Sequence, residues 1–174
     1  MLLGKDDDTV QVRVRGGGLV QRALLEVVES VRKLRAEHVL LDGELVVLDE
    51  AGQADFDAAC ARLRSALGPP VQVFVFDLLA VDGEDLRGRP LVERKQALAR
   101  VLGRGDVTLR PVHVHDGDPT AMVESVKELG LEGVVAKYAG APYQGGRTSL
   151  WRKVILRRPE KGWRVEEQRT WRTR

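Results

Sequence analysis

Apolar and charged residues alternate along Thr9-Val-Gln-Val-Arg-Val-Arg15, the signature of a half-buried strand, and Gly16-Gly-Gly18 closes it with a flexible turn. From residue 19 to residue 35 the period changes. Leu24, Val27, Val28, Val31 and Leu34 recur at three- and four-residue steps and predict a helix over that stretch. Residues 38–41 and 45–48 read as two strands flanking Asp42-Gly43-Glu44, with a turn at Asp49-Glu-Ala-Gly52. Residues 56–67 form a helical pattern that Gly68-Pro-Pro70 stops. The run Val71-Gln-Val-Phe-Val-Phe-Asp-Leu-Leu79 is the strongest strand signal, and Asp82-Gly83 makes the next turn. A helix follows over residues 91–102, ended by Gly103 and Gly105, then an alternating strand over 107–115. Residues 119–129 predict a helix with Pro119 at its start, where a missing N–H costs nothing. Short strands at 133–137 and 149–156 complete the pattern.

Several neighbouring strands have links too short for a parallel crossover. The expected fold class is therefore α+β, with mixed or antiparallel sheets and packed helices. Internal repeats and low-complexity segments are absent from the 174 residues.

Charge sharpens this picture at one end. Residues 1–146 hold 18 Lys+Arg and 23 Asp+Glu, whereas residues 147–174 hold 10 and 3. A basic segment behind an acidic body points to a polyanion, either a nucleic acid or ATP, or else to a solvated tail. Apolar runs are too short to span a bilayer, and Met1-Leu-Leu-Gly-Lys5-Asp-Asp-Asp8 does not read as a signal peptide, so a cytoplasmic location without membrane partners is expected. The single cysteine, Cys60, excludes an internal disulfide and a multi-cysteine metal site.

Candidate chemistry centres on Glu132-Gly-Val-Val-Ala-Lys137. Residues five apart on a strand face opposite ways unless the chain bends, and Gly133 can supply the bend. A lysine ending an apolar strand either meets an anion such as a phosphate or snorkels to solvent. Asp42-Gly43-Glu44 places two carboxylates between strands, a turn signal or a site. Phe76, before Asp77, is a core residue or a stacking platform for a purine. Lys153, after Trp151-Arg152, would form a cationic clamp beside Lys137. Arg15 ends the first strand and could meet phosphate. His113 and His115 share a strand face, but a third metal ligand is not evident.

The order of these segments resembles the motif series of ATP-dependent DNA ligases, especially the bacterial end-joining kind. Arg15-Gly16-Gly17, Leu41-Asp-Gly-Glu-Leu-Val46, Val75-Phe-Asp-Leu-Leu79, Glu132–Lys137 and Pro142-Tyr143 with Arg147, Ser149 and Trp151-Arg-Lys153 are similar to successive family motifs, and the helix at Leu91-Val-Glu-Arg-Lys95 fits as well. The resemblance implies an ATP-grasp-like nucleotidyltransferase domain that binds ATP and Mg²⁺, transfers AMP, and joins DNA in repair or recombination. It implies ribose binding by Glu44, adenine stacking on Phe76, α-phosphate contacts from Lys137 and Lys153, metal binding by Glu132, and the nick 5′-phosphate at Arg15. DNA, and a polymerase or primase repair module, are the implied partners.

Two departures qualify the expectation. The family's nucleophilic motif, Lys-x-Asp-Gly-x-Arg, is not spelled by these residues, and Lys5-Asp6-Asp7 reads as a solvated charge cluster in a turn. Position 155 is Ile where the fifth motif, Lys-x-Lys, has a second lysine. The expectation is thus a partial adenylation domain over residues 1–155 and a basic tail over 156–174 with no OB-fold. Such a chain would not ligate alone. The alternative is a non-catalytic DNA- or protein-binding remnant that uses the tail.

Overall fold

The computed structural model describes residues 1–14, 16–112, 114–157, 164–168 and 171–173, and for Arg147 and the described residues from 157 onward it describes the backbone alone. A six-stranded sheet forms its base. β1 (Leu2–Asp6) and β2 (Thr9–Arg13) make an antiparallel hairpin around Asp7 and Asp8, a two-residue loop in which Asp7 takes a φ of 50°. β3 (His38–Val46) pairs with β1 on one side and with β4 (Gln72–Val81) on the other. β5 (Glu84–Asp85) and the parallel strand β6 (Leu109–Pro111) both join β4. A second sheet has the order β10–β9–β7, with β7 at Gly133–Lys137, β9 at Trp151–Arg157 and β10 at Arg164–Gln168. A third pair joins β8 (Gly146–Thr148) to β11 (Trp171–Thr173). Two segments of the basic C-terminal stretch are therefore strands.

Helices cover the core face of the large sheet. Alternation in the strands sends Leu3, Val12, Leu41, Val73 and Val75 to that face, all buried. Helix α1 (Leu25–Arg32) lays Val27, Val28 and Val31 on them. Helix α3 (Leu91–Leu102) contributes Ala97, Leu98 and Leu102. Helix α2 (Phe56–Arg62) is capped by Asp55, which accepts from Ala58 N, and α4 (Pro119–Glu128) by Asp118, which accepts from Thr120 N. This is the α+β arrangement expected from the sequence.

Several boundaries differ, each for a physical reason. Residues 2–6 are a central strand rather than a solvated turn: Lys5 snorkels, donating from Nζ to Leu34 O at 2.7 Å and Ala36 O at 2.8 Å. Residues 19 and 20 pair with β2, through the Arg13–Leu19 bridge and Val20 N to Val12 O at 2.9 Å, so the first helix starts only at Leu25. The second helix ends early because the Arg62 guanidinium turns inward onto the carbonyls of Ala23, Ser65 and Pro69. Asp42-Gly43-Glu44 lies inside one continuous strand, with β1 and β4 pairing on either side, and is not a turn. The expected strand over 107–115 contracts to Leu109–Pro111.

Candidate nucleotide site

The site forms where the large sheet meets the second one. Asp42 and Glu44 sit two residues apart on β3, hence on one face. Across the ladder they oppose Asp77 and Phe74. Between the pairs Asp42–Asp77 and Gly43–Val75, β4 holds one residue more than β3, and that residue is Phe76. A bulge of this kind re-aims a side chain, and Phe76 emerges half-buried toward the second sheet. Gly43 is required here: a methyl at its Cα would come within 2.8 Å of Val73 Cγ1 and 3.0 Å of Phe74 O.

The second sheet supplies the cations. β7 and β9 pair antiparallel with Lys137 opposite Trp151 and Val135 opposite Lys153, so both lysines project from the same face, one diagonal step apart. Gly133 opens β7 against β9 so closely that an added methyl would fall 2.0 Å from Val154 O. That close approach brings the preceding Glu132 to the lysine face. Its carboxylate lies 2.8 Å from Lys153 Nζ, with Glu132 73% exposed and Lys153 21% exposed. The bend expected at Gly133 thus brings Glu132 round to Lys153.

The two halves meet through Lys137. Its Nζ lies 4.2 Å from the centre of the Phe76 ring and 3.6 Å from that of Trp151. Trp151 is buried and stands edge-on to both Phe76 and Tyr143, at centroid separations of 6.2 Å. The Tyr143 hydroxyl donates to Asp42 Oδ2 at 3.0 Å. Asp42 Oδ1 has no hydrogen-bond donor among the described residues, and the Met1 nitrogen is 3.8 Å from it.

Burial sets the electrostatics. It pushes the Asp42 carboxyl up to about 7, against the lowering effects of the Tyr143 hydrogen bond and the Lys137 charge. It pushes the Lys137 ammonium down to about 7, helped by the nearby charge of Lys95, while Asp77 and Asp42 pull the other way. Lys95 itself is lowered by burial, and the Tyr143 phenol is raised by burial and by Asp42. Beneath them, Arg94 of α3 holds Asp77 in a fully buried bidentate pair, Nε to Oδ1 at 2.8 Å and Nη2 to Oδ2 at 2.9 Å. Its Nη1 donates to Ala141 O at 2.9 Å and to Arg89 O at 2.6 Å, tying the loop that carries Tyr143 to the core.

The structure therefore brings together Phe76, Lys137, Lys153 and Glu132 of the sequence candidates. Glu44 is exposed on the strand face it shares with Asp42. Arg15 and His113 lie outside the described residues. His115 Nε2 lies 3.1 Å from Asp118 O at the start of α4. Sequence reasoning placed Tyr143, Asp77, Arg94 and Lys95 within the ordered motifs but gave none of them a role in the site. Two members of this supporting layer, Asp77 and Arg94, had a signal in retrospect: a carboxylate inside the most apolar strand and an arginine on the buried stripe of a helix. Two surface clefts lie away from this chemistry, one of about 410 Å³ between α3 and β5 and one of about 620 Å³ beside His38 and Asp82. Among the described residues no helix is long and apolar enough to cross a membrane.

Residues 1–154 match the family described as the ATP dependent DNA ligase domain. The chain belongs to that family. The resemblance drawn from its ordered motifs is thereby borne out. The chain is 35% identical over 150 residues to the multifunctional non-homologous end joining protein LigD of Pseudomonas aeruginosa, covering 86% of this chain and 18% of that one. It is 38% identical over 161 residues to a probable DNA ligase of Sorangium cellulosum, covering 86% of this chain and 30% of that protein. The ligase domain of M. tuberculosis LigD superposes with a TM-score of 0.73 at 30% identity, over 88% of this chain and 49% of that chain. A mycobacterial DNA ligase D solved with ATP and MES gives 0.72 at 30% identity, over 89% and 53%. The chain thus spans about a fifth to a third of these curated relatives' length and about half of the solved ones.

Proposed function

We propose that this chain supplies one wall of the ATP pocket of a DNA-joining nucleotidyltransferase. In this reading Phe76 stacks on adenine and Glu44 takes the ribose hydroxyls. Lys137 and Lys153 contact the α-phosphate, and Arg15 faces a DNA 5′-phosphate. What supports the reading is one arrangement: an aromatic ring re-aimed by a bulge, directly beneath a lysine whose sheet face also carries a second lysine and a carboxylate. Two positioned ammoniums suit phosphoryl oxygens, which carry the charge in phosphoryl transfer.

Glu132 fits a divalent ion in a limited sense. It is a single exposed carboxylate, the donor Mg²⁺ accepts together with waters and substrate phosphates rather than in an all-protein cage. Bound there, Mg²⁺ would spread the charge that develops on the phosphate. Glu132 would hold the ion, and its bond to Lys153 would keep that lysine on the phosphate side.

No Lys-x-Asp-Gly-x-Arg motif occurs in these 174 residues, so taken by themselves they bind ATP without forming a lysyl-AMP adduct. Incubation with α-labelled ATP and Mg²⁺, followed by denaturing electrophoresis, is expected to leave no labelled band. Titration of the native chain should show reversible ATP binding, weakened about tenfold by Phe76→Ala through loss of base stacking. A labelled band that survives denaturation would refute the non-covalent reading, and equal ATP affinity in F76A would refute the stacking role.

A further inference from the structure

A purine stacked on Phe76 needs the layer in van der Waals contact with the ring, about 3.5–4.0 Å above its carbons. On one face of Phe76 that layer is taken by the Lys137 ammonium, 4.2 Å from the ring centre. Trp151 closes the side of the same space, edge-on to Phe76 with an interplanar angle of 81° and 3.6 Å from the ammonium. Tyr143 braces Trp151 from behind at 78°. The ammonium therefore rests on ring faces, and among the described residues no carboxylate is within ion-pairing distance of it. Its neighbour on the sheet, Lys153, is by contrast held by Glu132.

Resting on the assignment of Phe76 to adenine, we propose that Lys137 occupies the base's seat when no nucleotide is bound and yields it only to a ligand that carries a phosphate. Lys137 is then a competitor for the ring as well as a phosphate contact. Lifting a cation off two aromatic faces forfeits its attraction to their π-systems. A free nucleoside returns nothing for that loss. A nucleotide returns a charge-assisted bond between the displaced ammonium and a phosphoryl oxygen. The displacement cost falls on adenosine, AMP and ATP alike, and only the nucleotides recover it through the phosphate contact. Weak binding of the nucleoside therefore arises from the protein's own side chain competing for the ring.

The test is calorimetric titration of adenosine, AMP and ATP into the full 174-residue chain and its Lys137→Ala and Lys137→Arg variants. In K137A adenosine is expected to bind about 3- to 10-fold tighter than in the unaltered chain while AMP binds more weakly. In K137R, which keeps a cation over the ring, adenosine should gain nothing. A second measurement needs no variant: the ε-methylene protons of Lys137 should resonate upfield in the free protein, shifted by the two rings, and move downfield on saturation with AMP. Adenosine affinity unchanged or reduced in K137A, with AMP still bound by the unaltered chain, overturns the competition and leaves the pocket assignment standing. So does an upfield signal that saturating AMP leaves in place. If the unaltered chain binds none of the three ligands, the pocket assignment falls and the competition falls with it.

Discussion

Asp42 and Lys137 carry opposite charges in the same buried corner, and both titrate near neutrality. For Asp42 the folded value, about 7, lies above the ordinary 3.8, so between those pH values the native state keeps a proton that the unfolded chain has lost. Stability therefore falls as pH rises through that window and is not regained above it. Lys137 behaves in mirror image. Its folded value of about 7 lies below 10.5, so the unfolded chain binds more protons between the two and stability rises across that range. The two groups together place a local minimum of stability near pH 7. Asp42→Asn keeps the shape and an oxygen for the Tyr143 hydroxyl but cannot ionise. D42N should melt higher than the unaltered chain at pH 8, by a margin on the order of 1–3 kcal/mol that shrinks toward pH 4. Thermal melts at both pH values check this, and an equal margin at each would contradict it. None of this was legible in the sequence, where Asp42-Gly43 carries the signature of a hairpin turn. Turn chemistry is local, but the buried carboxyl depends on Tyr143, 101 residues away.

At the level of elements, α3, β4 and the loop before β8 are held together by one buried group. The Arg94–Asp77 pair is fully enclosed, and Arg94 also satisfies the carbonyls of Arg89 and Ala141. Removing one member of such a pair strands the other charge in the interior. Arg94→Met should cost about 3–5 kcal/mol in urea unfolding. The double variant R94M/D77L should recover much of that loss, because no lone charge remains. A double variant no more stable than R94M would show that the carbonyl contacts, not the ion pair, bear the effect. The helix over residues 91–102 was readable to the residue, because its apolar stripe and flanking proline and glycine are local signals. β7 was equally legible. β1 was not, since Gly4-Lys5-Asp6-Asp7-Asp8 has a turn's composition. Only its place between β2 and β3, with Lys5 anchored to the carbonyls of Leu34 and Ala36, makes it a strand.

Over the whole molecule charge is divided unevenly, with a net of −5 over residues 1–146 and +7 over 147–174. If the basic stretch meets a DNA backbone, binding should weaken steeply with salt. Replacing Arg157, Arg158 and Lys161 by Gln should flatten the dependence of log K on log salt by up to about 0.9 for each phosphate no longer neutralised. An unchanged slope in gel-shift titrations, or no shift at low salt, would remove the tail from DNA recognition. The α+β class and the motif order that marks the ATP-dependent DNA ligase family were present in the chain itself. Hydrophobic periodicity and short motifs depend on neighbours in sequence, so a linear reading captures them. The site was decided by tertiary structure. A bulge at Phe76 sets which way one ring points, and the pairing of β7 with β9 sets which face two lysines share. The meeting of the two sheets then lays Lys137 on Phe76 across 61 positions of sequence. Register and sheet packing are long-range properties, fixed only when the distant strands have found one another.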